Sequence, residues 1–152
     1  MKTRREMLAT SATVAALLAA AGLLPTAAHA AWNQAAFDAK NLADAVKALG
    51  GGAPVESKDV TITGPDIAEN GAVVPVGAST ALPGVKRLAL LVEKNPSALA
   101  AVFEVSDAID ANILTRVKMG QSSNVFAVAI MADGKVLYAS KEIKVTLGGC
   151  GG

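Results

Sequence analysis

After Pro54 the chain becomes a series of short runs rich in Val, Ile, Thr and Leu, and this pattern leaves few folds open to it. Gly, Pro and Asn separate the runs, most of which are too short to form a helix of ordinary length. Such runs between turn residues are typical of an antiparallel β-sandwich, in which each strand directs alternate side chains into the core. The sequence therefore predicts an all-β fold with about seven strands.

The strands are predicted from the apolar runs and the turn residues that separate them. The runs cover residues 60–63, 72–76, 86–92, 100–105, 114–119, 125–131 and 136–140, and a final run ends at residue 147. Residues 86–92 are nearly continuous in apolar side chains, which indicates a buried strand. Asp133-Gly134 between two runs predicts a hairpin with a type I′ turn.

Residues 33–49 differ from the rest because they are mostly good helix formers. Phe37, Leu42 and Val46 recur at a spacing close to 3.6 residues, which predicts one amphipathic N-terminal helix. Gly50-Gly51-Gly52 should end this helix, since glycine readily adopts the left-handed conformation found just after a helix.

The first thirty residues have the pattern of an export signal. Lys2, Arg4 and Arg5 precede an apolar run at 12–24, and residues 28–30 form a small-x-small cleavage site. The pair Arg4-Arg5 also resembles a twin-arginine signal, which exports folded proteins. We expect cleavage after residue 30, a mature domain over 31–147 and a periplasmic location; a retained membrane anchor is the alternative.

Loss of the signal would change which chemistry the chain can perform. His29 is the only histidine and would leave with the signal, so imidazole catalysis and histidine metal sites are excluded. A single cysteine excludes an internal disulfide and a Cys-x-x-Cys pair. The formal net charge changes from +1 to −1 on removal of three basic residues and Glu6. We therefore expect no enzyme, no cofactor, no metal and no nucleic-acid partner.

The candidate functional residue is Cys150, which lies in an unusual C-terminal segment. The last five residues are Gly148, Gly149, Cys150, Gly151 and Gly152. Glycine enters backbone regions that are closed to other residues, so this sequence predicts a mobile arm over 148–152. An extended chain would carry Cys150 about 10 Å from Leu147, which is enough to enter a narrow pocket on another protein.

The final predicted strand attaches this arm to the body of the protein. In residues 142–147 the apolar side chains alternate, so Lys144 and Thr146 should face outward while Leu147 faces the sheet. Lys141 and Lys144 have two interpretations: they raise the local positive potential near the thiol, or they belong to an ordinary solvated strand face.

Four stretches resemble the SoxY family, whose members carry sulfur compounds in the periplasmic thiosulfate-oxidising (Sox) system. They are residues 48–51, residues 65–71 leading into 74–76, residues 93–96, and residues 144–152. The last stretch is the most specific, because it combines a strand, two pairs of glycines and a lone terminal cysteine. The resemblance covers essentially the whole mature chain.

The resemblance implies an immunoglobulin-like antiparallel sandwich and a covalent carrier role for Cys150. It also implies a heterodimer with a SoxZ-like subunit. In that scheme the haem enzyme SoxAX joins thiosulfate oxidatively to the thiol, SoxB hydrolyses sulfate from the adduct, and SoxCD oxidises the remaining sulfur. The chemistry belongs to these partners and not to the carrier.

Other interpretations of the terminal cysteine remain open at this point. An exported structural or binding module would use Cys150 to form an intermolecular disulfide, as an unpaired cysteine does in an oxidising compartment. A thiol enzyme would need a resolving cysteine or a fixed pocket around the thiol, and the sequence predicts neither. An engineered glycine-cysteine tag is the remaining alternative.

Overall fold

The computed structural model describes Thr13, Leu17 and residues 33–147 of the chain. The chain divides into two units, residues 1–32 and residues 33–152. In the first unit, Thr13 and Leu17 are helical and exposed. Arg4 and Arg5 of the predicted signal lie outside the described residues. Among the described residues, no helix is long and apolar enough to span a membrane.

Two helices and nine strands form the described part of the second unit. They are α1 Gln34–Asp38, α2 Leu42–Ala48, β1 Pro54–Glu56, β2 Val60–Thr63, β3 Ile67–Ala68, β4 Val74–Thr80, β5 Val85–Val92, β6 Leu99–Glu104, β7 Asn112–Val117, β8 Ser123–Met131 and β9 Val136–Val145. The predicted strands at 136–140 and at the C-terminus are one continuous strand, β9. The short strands β1 and β3 escape the sequence pattern because two or three residues show no periodicity.

The strands form two facing sheets. The larger sheet has the order β1-β9-β8-β5-β6, with β3 also paired to β9, and the smaller sheet has the order β2-β4-β7. β1 and β3 pair with β9 in parallel, near its beginning and its end, whereas the other pairs are antiparallel. The predicted all-β, immunoglobulin-like antiparallel sandwich is therefore confirmed.

The larger sheet is covered on both faces. One set of its side chains, including Leu88 and Leu90, packs against the smaller sheet. The opposite set, including Leu91 and Val128, packs against Val46 and other residues of the two helices. Burial on both faces explains why β5 reads as an almost unbroken apolar run, since alternation appears only where one face meets water.

The single helix expected over residues 33–49 is instead two helices. Ala39 has extended backbone angles, and its carbonyl accepts a hydrogen bond from the amide of Ala98, which immediately precedes β6. Asn41 then caps α2, because its side-chain oxygen accepts a 2.9 Å hydrogen bond from the Asp44 amide. Asparagine satisfies an otherwise unpaired amide at a helix start, so it favours a new helix here over continuation of the first.

The hairpin between β8 and β9 is confirmed, but its turn is not type I′. Gly134 has a φ of 86°, while no non-glycine residue of the described chain has a positive φ. The Gly134 amide donates to the Met131 carbonyl, and the Met131 amide donates to Lys135. Because only one turn residue is left-handed, the geometry is a type I turn followed by a glycine bulge.

Candidate functional site

The end of β9 is the part of the candidate site that the structure describes. Cys150 and the predicted arm residues Gly148, Gly149, Gly151 and Gly152 lie outside the described residues. The last buried side chain of β9 is Ile143, which has no exposed surface. Ile143 pairs with Ser123 of β8 on one side of the strand, and its neighbour Lys144 pairs with Ile67 of β3 on the other. The strand is therefore hydrogen-bonded on both edges where it approaches the C-terminal segment.

Backbone hydrogen bonds continue beyond the strand and fix the position of Leu147. The Thr146 amide donates to the Ala68 carbonyl at 3.0 Å, and the Gly71 amide donates to the Leu147 carbonyl at 2.8 Å. The Thr146 hydroxyl also donates to the Glu69 carbonyl at 3.1 Å. The segment of residues 66–71 therefore acts as a clamp on the last described residues.

Two further contacts tie this clamp to the body of the sandwich. The Met119 amide donates a 2.7 Å hydrogen bond to the Gly71 carbonyl, and Met119 is fully buried. The Ser122 hydroxyl accepts a 2.9 Å hydrogen bond from the Val145 amide. Since both partners precede β8, the chain before that strand holds the end of β9 as well as the clamp.

Lys141 is engaged in holding the start of the clamp. Its ammonium group donates to the Gly64 carbonyl at 2.6 Å and lies 2.9 Å from an oxygen of the Asp66 carboxylate. The hydrogen bond and the charge of Lys141 lower the pKa of Asp66 below its ordinary value. Asp66 therefore balances the charge of Lys141. Lys144 is exposed, and among the described residues no ion pair compensates its charge.

The predicted alternation at the end of β9 holds only as far as Thr146. Ile143 is buried and Val145 is half-buried, while Lys144 and Thr146 are exposed as expected. Leu147 does not face the sheet as expected, because the strand ends at Val145 and 66% of the leucine surface is exposed. Alternation of side chains requires extended pairing, and that pairing stops before this residue.

Two cavities of the described body lie away from the strand end. The larger, of about 840 Å³, is lined by the loops around Asp59, Leu82 and Asp110. The smaller, of about 470 Å³, lies between β6 and β7. Neither is lined by a residue of the clamp or of β9. Within the described residues, no group of three or more His, Cys, Asp or Glu side chains is placed to hold a metal ion.

Sequence reasoning located the strand end but missed the clamp. The sequence pattern predicts no strand over residues 64–71, whereas this segment contains β3 and the partners of the last described residues. A signal was available, because residues 65–71 are among the stretches that resemble the SoxY family. Residues 65–71 show no strand periodicity but resemble the family, which indicates that their backbone positions another part of the chain.

Comparisons with known proteins identify the family. A family model described as sulfur oxidation protein SoxY matches residues 45–150. This span covers more than half of the chain and includes Cys150. The chain belongs to the SoxY family. The comparison with curated proteins gave no match.

A solved SoxY structure agrees with this assignment. The chain is similar to the sulfur carrier protein SoxY from Chlorobium limicola f thiosulfatophilum, with 34% identity and a TM-score of 0.61. The match covers 68% of this chain and 94% of the Chlorobium protein. Superoxide reductase (neelaredoxin) from Ignicoccus hospitalis is similar with 18% identity and a TM-score of 0.51, and the match covers 57% of this chain and 79% of the reductase. At that identity the similarity to the reductase shows a shared fold and nothing more.

Proposed function

We propose that this protein is a periplasmic carrier that holds sulfur intermediates covalently on Cys150 and presents them to the enzymes of thiosulfate oxidation. The observation that carries the proposal is the match to the SoxY family over residues 45–150, which extends to the cysteine. The clamp at Leu147 supports it, since a carrier must present its thiol from a defined point on a folded body. The Chlorobium relative is itself described as a sulfur carrier.

In this proposal the carrier supplies the thiol and the partners supply the catalysis. Joining thiosulfate to Cys150 forms a sulfur-sulfur bond and releases two electrons and the thiol proton, and the haem enzyme SoxAX accepts the electrons. Water then cleaves the bond between the two sulfur atoms of the thiosulfate unit in a reaction catalysed by SoxB. Sulfate and a proton leave, and a persulfide remains on Cys150. SoxCD would oxidise that persulfide further, and a SoxZ-like subunit would complete the heterodimer.

Mass spectrometry of the C-terminal peptide tests the proposal directly. The protein should be isolated without reductant after incubation with thiosulfate and SoxAX. We expect an added thiosulfate group on Cys150, and after treatment with SoxB a single added sulfur atom. A disulfide-linked dimer of the peptide with neither adduct would instead favour a structural module joined through Cys150.

A pair of variants tests whether the position of the thiol matters. Cys150→Ser should fold normally and abolish thiosulfate-dependent turnover in the reconstituted system. The matched control adds Ser106→Cys to Cys150→Ser, which places an exposed thiol on the loop that borders the larger cavity. Turnover that persists in Cys150→Ser, or returns in the control, would contradict the proposed role of the C-terminal segment.

A further inference from the structure

Three large apolar side chains are exposed around the end of β9. Ile67 is 58% exposed, Val73 is 52% exposed and Leu147 is 66% exposed. We name these three residues the collar. They are half of the six large apolar side chains that the structure shows as exposed within residues 33–147. Clustered exposed apolar surface marks interaction sites more often than scattered single residues do.

Backbone contacts hold the collar residues near one another. Ile67 pairs with Lys144, and neighbouring strands are about 4.8 Å apart. Gly71 is hydrogen-bonded to Leu147, and Val73 follows Gly71 by two residues, a separation of at most about 7.6 Å. The collar residues are therefore held near the point at which the C-terminal segment begins.

We propose that the collar is the surface on which partner proteins dock when they take Cys150 into a reactive pocket, and that its occupant is the apolar rim of that pocket. This inference rests on the proposed carrier function. It adds the location of the docking surface and the chemistry of the partner that fits it.

The short chain between Leu147 and Cys150 carries the argument. Three residues span at most about 11 Å, whatever their conformation. A pocket that encloses the thiol must therefore bring its entrance to within that distance of Leu147. Leu147 itself belongs to the collar, and Ile67 and Val73 are tied to the same strand end, so an entrance this close to Leu147 reaches the collar.

The charges near the collar indicate that the contact is apolar. Asp66 is paired with Lys141, and the exposed Glu69 and Lys144 carry opposite charges. The charges of these four side chains cancel, so they create no strong electrostatic field that would select a charged partner. The proposed adducts on Cys150 differ in charge, because a thiosulfate adduct is always anionic, whereas a persulfide is anionic only when it is deprotonated. An apolar surface binds equally well at each stage, which suits a carrier that must visit several enzymes.

The chain contains a matched control set for testing this inference. The other exposed large apolar residues are Val55, Ile109 and Leu114, so each collar residue has a counterpart of the same type. Val55 lies beside the beginning of β9, Ile109 borders the larger cavity, and Leu114 lies in the middle of β7. None of the three is part of the clamp.

The experiment compares two triple variants as substrates of purified SoxB. The collar variant is Ile67→Thr, Val73→Thr and Leu147→Asn, and the control variant is Val55→Thr, Ile109→Thr and Leu114→Asn. Both are loaded with the thiosulfate adduct, and sulfate release is measured. We expect the collar variant to lower kcat/KM by about tenfold, mainly through a higher KM, and the control variant to change it by less than about twofold.

Several readouts separate the possible failures. Equal kcat/KM in the two variants would overturn the inference. A change in the association of the collar variant with itself or with a SoxZ-like subunit would also overturn it, because the collar would then be a subunit interface. Iodoacetamide should alkylate Cys150 at the same rate in the wild type and both triple variants, which shows that the thiol itself is equally accessible. If the collar variant does not fold, the single variant Leu147→Asn should still lower kcat/KM, by less than about tenfold. If the wild-type protein releases no sulfate, the carrier function itself fails, and this result is distinct from a collar without effect.

Discussion

The Gly71 amide donates a 2.8 Å hydrogen bond to the carbonyl of Leu147, and this contact joins two parts of the chain that are 76 residues apart in sequence. Because Gly71 also accepts from the buried Met119, the contact connects the strand end to the core. In the proposed carrier function, a partner enzyme would therefore meet Leu147 at a fixed position on the folded body.

The glycines before the cysteine provide the first prediction. Replacing Gly148 with Ala and Gly149 with Val restricts the backbone, because added Cβ atoms close regions that glycine can enter. We expect transfer of the adduct between the Sox enzymes to slow by about threefold or more. Stopped-flow measurement of each transfer step checks this. Wild-type rates in the variant would show that these glycines are not needed for transfer.

The hydroxyl of Ser122 provides the second prediction. Ser122→Ala leaves the Val145 amide without its partner and should lower the free energy of unfolding by about 1 kcal/mol. Amide hydrogen exchange at Val145 should accelerate as the strand end opens. The control is Ser123→Ala, which removes the acceptor of the Lys94 amide instead. Equal exchange at Val145 in both variants would contradict the role of Ser122 in holding the strand end.

The ion pair between Asp66 and Lys141 provides a prediction about pH. The pKa of Asp66 lies below the ordinary value of 3.8 in the folded protein, so the pair stabilises the fold above about pH 3.8 and loses this effect as the pH falls through the folded pKa. Asp66→Asn should therefore be slightly less stable than wild type at pH 7, and the difference should vanish at lower pH.

Urea unfolding of both proteins between pH 7 and pH 2 measures this difference. Lys141→Gln is the complementary variant and should lose at least as much stability at neutral pH, because it also disturbs the hydrogen bond to the Gly64 carbonyl. The effect is small because the Asp66 side chain is 90% exposed and water screens the pair. A difference in urea midpoint that persists at pH 2 would mean that Asp66 stabilises the clamp by another route.

The turn between β8 and β9 provides the last prediction. Gly134 has a φ of 86° and an added Cβ would meet no atom within 4 Å, so strain of the backbone is the only cost of a side chain there. Gly134→Ala should lower the free energy of unfolding by about 1 kcal/mol. Gly134→Asn should cost less, since asparagine tolerates the left-handed region better. Denaturant unfolding of the two variants checks this order, and equal stability of Gly134→Ala and wild type would refute it.

Sequence reasoning succeeded where a single physical rule decided the outcome. The hairpin at Asp133-Gly134 and the burial of β5 follow from local turn chemistry and from a continuous apolar run. It failed where a distant contact competed with the local preference. Ala39 leaves the helix because its carbonyl pairs with Ala98, and no periodicity within residues 33–49 contains that information.

The sequence by itself provided the resemblance to the SoxY family and the prediction that Cys150 is the attachment site, because a lone cysteine between two pairs of glycines is visible without any tertiary contact. Only the tertiary structure decided how the end of β9 is held and which side chains are exposed around Leu147. The clamp, the pairing of Asp66 with Lys141 and the exposure of Leu147 depend on residues far apart in the chain. Contacts of that kind arise when two sheets pack and a short strand adds to their edge, which no local pattern specifies.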